Sequence, residues 1–74
     1  MEKTEYGYIE LNINEFIKKH NISKNKICKD LNIPRPNFNR YCQNRFQRID
    51  SVLLCKFCWY FQCDIQDLVI YKRD

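Results

Sequence analysis

The stretch Ser23-Lys-Asn-Lys-Ile-Cys-Lys-Asp-Leu-Asn-Ile-Pro-Arg-Pro-Asn-Phe-Asn-Arg-Tyr-Cys-Gln-Asn-Arg45 decides the fold, because it spells two short helices and the turn between them. Ser23 is placed to cap the first, its hydroxyl taking one of the N–H groups that a helix start leaves open. Ile27 and Leu31, four residues apart, form that helix's inner face. Asn32 stands where the chain must turn in the left-handed conformation, and Asn suits it best after glycine. Pro34 and Pro36 fit only the first turn of a helix, so a second helix begins there. A residue before proline avoids the α region, which makes Arg35 the expected cap. Phe38, Tyr41 and Cys42 then turn inward at i, i+3 and i+4. Asn44 takes a second glycine-like position and ends this helix, about 35–43.

Working outward, Tyr6 to Leu11 alternates weakly and is expected as a strand. Asn12 or Asn14 can cap a helix over about 13–20, with Ile13, Phe16 and Ile17 inward and Lys18-Lys19-His20 at its C-terminus, where the dipole favours cations. On the other side, Phe46 and Ile49 anchor a loop, and Asp50 or Ser51 caps a helix over about 51–62. Leu54, Phe57, Cys58 and Phe61 make its main inner face. Val52, Trp59 and Cys63 then project from the opposite side, with Cys55 beside them. A helix apolar all round needs cover all round, either from the terminal strands or from a second subunit. Asp64 caps one last turn before Leu68-Val69-Ile70-Tyr71 extends as a second strand. Two short strands at opposite ends of a small helical domain are expected to pair with each other.

The chain has 74 residues, enough for one domain near the lower size limit of an independent core. At 45% apolar residues it is too hydrophobic to be disordered. No apolar run is long enough to span a membrane and the first residues do not resemble a signal peptide, so a cytoplasmic location is expected. The five cysteines are odd in number and mostly at core spacing, so we expect reduced thiols acting as small hydrophobes.

The net charge of +4 conceals a segregation. Residues 18–56 hold ten Lys or Arg against two acids, +8, whereas the flanks hold three against seven, −4. Positive charge concentrated in this way points to nucleic acid. The spacing agrees: a helix, a tight turn and a second helix are the geometry in which the second enters the major groove of double-stranded DNA. With 38, 41 and 42 inward, Pro36, Asn39, Arg40 and Gln43 face outward, with Arg35 and Asn37 at the exposed N-terminal end. Arg pairs with guanine and Asn or Gln with adenine, and this helix contains no acid. Ser23 and Lys24 at one helix start, and Asn44, Arg45 and Arg48 in the following loop, suit phosphate.

The chain resembles the Cro/C1-type (XRE-like) helix-turn-helix family. The likeness is carried by Ile22 to Cys28, by Leu31-Asn32-Ile33 and by Arg35 to Tyr41. From Ile9 to Tyr71 it is also similar to a compact bacterial and phage subgroup with terminal strands, its tail matching through Leu54 to Cys58 and Cys63 to Leu68. The resemblance implies a mainly α domain of four to five helices with a short two-stranded sheet from the N- and C-terminal segments. It implies a sequence-specific, homodimeric transcriptional regulator. Arg35, Pro36 and Arg40 fall where members read bases, and Ser23, Lys24, Asn44 and Arg45 where they hold phosphate. Pro36 departs from the polar residue usual there and leaves at most contact with a thymine methyl.

Two other chemistries are weaker. Cys55, Cys58 and Cys63 with His20 lack the knuckle spacing of a structural zinc site, and no nucleophile or glycine-loop pattern suggests an enzyme, so neither metal nor cofactor is expected. The alternative from another class is a helix-turn-helix-derived protein-interaction module, an inhibitor or adaptor using Trp59 or the basic face.

Overall fold

The computed structural model describes residues 3–73. Its elements run β1 (Tyr8–Leu11), α1 (Ile13–His20), α2 (Lys24–Leu31), α3 (Arg35–Cys42), α4 (Ser51–Phe61), α5 (Ile65–Leu68) and β2 (Val69–Lys72). The two strands pair antiparallel, from Tyr8 opposite Lys72 to Leu11 opposite Val69. This is the mainly helical fold with a terminal two-stranded sheet that the sequence led us to expect.

The first four helices end alike. Asn21, Asn32, Asn44 and Gln62 all adopt positive φ of 53–59°. In each case the next residue's N–H reaches back five residues: Ile22 to Ile17, Ile33 to Cys28, Arg45 to Arg40 and Cys63 to Cys58. That bond is the signature of a Schellman end, which satisfies carbonyls a helix would otherwise leave open. Helix starts are equally local. Ser23 Oγ accepts from Lys26 N, and Asp50 Oδ1 accepts from Val52 N at 2.8 Å. Asp64 and Asp67 form a reciprocal capping box at the start of α5.

Several boundaries differ from expectation. Tyr6 lies in a turn closed by Thr4 and Gly7, so β1 starts at Tyr8. Gly7 has φ +97°, and a Cβ there would sit 2.4 Å from the Lys72 carbonyl oxygen. Asn12 occupies the cap of α1 without a side-chain bond, while Asn14 lies in the helix and donates to the Cys42 carbonyl. Pro34, not Arg35, caps α3, its carbonyl accepting from Phe38 N at 3.0 Å. The extended ψ of 135° falls on Pro34 itself. Pro36 then sits at the second helical position, where its missing N–H would have had no partner and its ring meets no helical carbonyl. Leu68 is the last residue of α5 rather than the first of β2, and its side chain is fully buried.

The core is aromatic. Phe57 of α4 lies 6.1 Å from Phe38 and 6.4 Å from Tyr41, both on α3, and 6.2 Å from Phe61. Phe61 stacks on Phe16 of α1 at 5.2 Å. Ile13, Ile27 and Leu68 complete the fully buried set. All five cysteines are free thiols; Cys28 and Cys42 are buried as expected, whereas Cys55 is exposed. The outer face of α4 is left open, with Val52 60% and Trp59 69% exposed. The strands therefore do not cover it. Cys63, expected on that face, packs instead against the core, because the left-handed Gln62 reverses the chain there.

Asn44 does more than end a helix. Its Oδ1 accepts from Leu11 N at 2.6 Å, fastening β1 to the end of α3. No comparable bond holds the exposed Asn32 among the described residues. Asn32→Gly should be neutral or stabilising by up to about 1 kcal/mol, since glycine adopts left-handed φ without strain. Asn44→Gly should instead destabilise by about 1 kcal/mol through the lost bond. Urea unfolding of the two variants tests this, and matching midpoints would contradict it.

Candidate nucleic-acid interface

The helix pair is short and firmly seated. α3 buries Phe38 and Cys42, which turns Arg35, Pro36, Asn37, Arg40 and Gln43 to solvent, with Asn39 half-buried beside them. These are the residues expected to face outward. α2 and α3 have no acid in their first turns. α2 instead opens with Lys24 and Lys26, against the preference of a helix N-terminus for negative charge. Such an end suits an external anion.

The one acid in this pair, Asp30, is neutralised from within the protein. It accepts from Tyr60 OH at 2.6 Å and from Lys26 Nζ at 3.0 Å. These bonds, Tyr60's first, hold its carboxyl below the usual range. The Tyr60 phenol is pushed up to about 12, mainly by burial and then by the bond to Asp30. Lys56 of α4 donates to the Leu31 carbonyl at 3.2 Å and so closes the C-terminal end of α2.

Arg35 is braced rather than free. Its Nε donates to Asn39 Oδ1 at 3.0 Å, and its Nη1 donates to Asn25 Oδ1 on α2. Sequence reasoning does not single out Asn25. A poor helix former on an exposed helical turn is the only signal that could draw attention to it. By contrast, Arg40 makes no side-chain hydrogen bond or ion pair among the described residues. Arg45 and Arg48 are likewise exposed.

Asn44, expected to hold phosphate, has its side chain turned onto Leu11, with Nδ2 also donating to the Leu11 carbonyl at 3.5 Å. It positions Arg45, whose backbone N–H donates to the Arg40 carbonyl at 2.8 Å. His20 stacks near Phe16 and Phe61 at 6.3 and 6.2 Å. Among the described residues no cluster of three or more metal-ligating side chains exists, and no helix is long and apolar enough to cross a membrane.

The family model of the Cro/C1-type helix-turn-helix DNA-binding domain matches residues 12–74. No curated protein sequence matches the chain. Among solved structures, the crystal structure of the transcriptional regulator VanUg (Form II) is similar with a TM-score of 0.74, covering 100% of both chains at 16% identity. That likeness is one of fold.

The Tyr60–Asp30 contact gives a two-sided pH dependence. The Asp30 part is present above the unfolded carboxylate pKa of ~3.9 and is lost as pH falls through its lower folded value. The Tyr60 part is present below the unfolded phenol pKa of ~10 and is lost as pH rises to about 12. Tyr60→Phe should therefore remove the last phenolate transition from an absorbance titration of the folded protein. An unchanged titration would show that the raised phenol is another tyrosine.

Proposed function

The chain belongs to the family of Cro/C1-type helix-turn-helix DNA-binding domains, and from that premise we propose that residues 1–74 are a single-domain, sequence-specific regulator of transcription that sets α3 in the major groove. The observation that carries this is the outer face of α3, furnished with guanidiniums and amides and free of acid, within the most basic part of the chain. Bound at an operator that overlaps a promoter, so small a reader would block the transcription machinery, and in this reading it acts as a repressor.

Arg40 is the principal base reader, because its guanidinium is uncommitted and suits guanine O6/N7. Arg35 would have to release Asn39 before presenting its Nε edge, or Asn25 before presenting its Nη pair, and so discriminates less. The Asn39 amide N–H groups and Asn37 suit adenine or backbone, and Pro36 a thymine methyl. Ser23, Lys24, Arg45 and Arg48 hold phosphates on either side, setting register. Asn44 serves them indirectly by fixing Arg45.

The functional unit in this reading is a homodimer. Val52, Cys55 and Trp59 form an exposed line at i, i+3 and i+7 on α4, and a second copy is the cover that such a face calls for. Two copies would address half-sites about 34 Å apart. The exposed Trp59 also supports the rival reading of a protein-interaction module, which predicts no salt-dependent binding to duplex DNA.

In-vitro selection from random duplexes should yield a palindromic site. On that site Arg40→Ala should weaken binding by about 1–3 kcal/mol and relax preference at one position. Arg45→Ala should weaken binding to all sequences alike and reduce the salt slope by about 1. Equal affinity of wild type and Arg40→Ala would remove Arg40 as a reader. Trp59→Arg should shift the protein to monomer in sedimentation and leave single half-site binding; an unchanged sedimentation coefficient would place the interface elsewhere.

A further inference from the structure

A Schellman end brings together the residue three from the helix end and the residue just beyond the left-handed position, and an apolar pair there commonly touches; at α3 the pair is instead the exposed Arg40 and Arg45. At α1 the pair is Ile17 and Ile22, and at α2 it is Cys28 and Ile33. At α4 it is Cys58 and Cys63. Their backbones share the Cys63 N–H to Cys58 carbonyl bond at 3.1 Å. The Cys58 side chain lies near enough to help push the Cys63 thiol up. A disulfide needs Cα atoms about 4.4–6.8 Å apart with Cβ atoms facing, and the backbone bond between the two residues holds them close in space. Both residues line one open cleft of ≈ 520 Å³ with Trp59, Gln62, Asp64 and Asp67. Glu15, Lys19 and His20 stand along the adjoining groove on the Cys63 side.

We propose that Cys58 and Cys63 are a thiol-exchange site that closes to an intramolecular disulfide on reaction with small disulfides, cationic ones preferred. In the first step Cys58 gives its proton to water and the thiolate attacks the S–S bond of RSSR, forming a mixed disulfide and releasing one RS⁻, which takes a proton from water. Cys63 then gives its proton to water and attacks the Cys58 sulfur, forming the new S–S bond and expelling the second RS⁻, which is protonated in the same way. Two protein thiols are oxidised and one small disulfide is reduced to two thiols. Burial, the neighbouring Cys58 and the two aspartates hold the Cys63 thiol protonated, up to about 11, which assigns it the second step and makes closure slow near neutrality. Asp64, Asp67 and Glu15 outnumber Lys19 around the cleft, so a dication is drawn in and an anion repelled.

The test treats the full-length native protein with cystamine or, separately, with glutathione disulfide, at equal concentration and low salt. Peptide mapping after alkylation should show a Cys58–Cys63 link in a monomer-sized chain that has lost two hydrogens. The link should be reversed by dithiothreitol and should form several-fold faster with cystamine. Cys55→Ser should retain the link and Cys63→Ala should stop at the mixed disulfide on Cys58. Alkylatable Cys58 and Cys63 beside a modified Cys55, or a Cys55–Cys58 link, would overturn the site. Glutathione disulfide reacting as fast as cystamine would overturn the charge preference.

Discussion

Phe57 is the point on which the proposed reading helix rests. α3 has only eight residues, too few to hold helical form alone in water. Its shape and direction come from what lies beneath it. The Phe57 ring meets Phe38 and Tyr41 of α3 on one side and leads through Phe61 to Phe16 on the other, so three helices share one continuous aromatic contact. Polar ties at the helix ends add direction to it: Asn14 closes the end of α3 and Lys56 the end of α2. Phe57 is fully buried, and its contacts set the angle at which Arg40 and its neighbours meet a partner.

Charge is arranged with as few parts. The basic segment contains one acid within the helix pair, and Tyr60 and Lys26 both hold it. Of the other acids, Asp50 caps α4 and borders α3, Glu15 lies in α1, and the rest lie in the terminal segments and around α5. The guanidiniums of Arg40, Arg45 and Arg48 are exposed, and neither α2 nor α3 carries an acid in its first turn. Arg35 is the exception, committing part of its donor set to bridging α2 and α3. There the pair gains rigidity and loses hydrogen-bonding capacity.

Most of the fold was legible because its signals are local. Ser23, Asp50 and Asp64 announce helix starts, and Asn32 and Asn44 announce left-handed turns, each from the chemistry of one residue. What escaped was non-local or ambiguous. Gln62 is an unexpected left-handed residue, and without it periodicity puts Cys63 on the wrong side of α4. Pre-proline geometry put the cap on Arg35, whereas the extended ψ and the bond from Phe38 put it on Pro34. At the candidate interface, the outward set on α3 followed from periodicity alone. The bracing of Arg35 by Asn25 and the capture of Asn44 by Leu11 join residues 10 and 33 positions apart, which no spacing rule connects.

The sheet gives the chain a property of its own under load. Tyr8 and Lys72 pair at the outer end of the ladder and Leu11 and Val69 at the inner end, so both chain directions leave from the same corner. Tension applied there pulls across the strands, not along them. The ladder then opens as a zipper, one rung after another, instead of resisting as a bundle of bonds in parallel. The bond from Leu11 to Asn44 lies at the last rung and that from Asn12 to Leu68 just beyond it, so both are reached only after the outer rungs give way. The helical core is thus shielded mechanically by an element that contributes little of its burial.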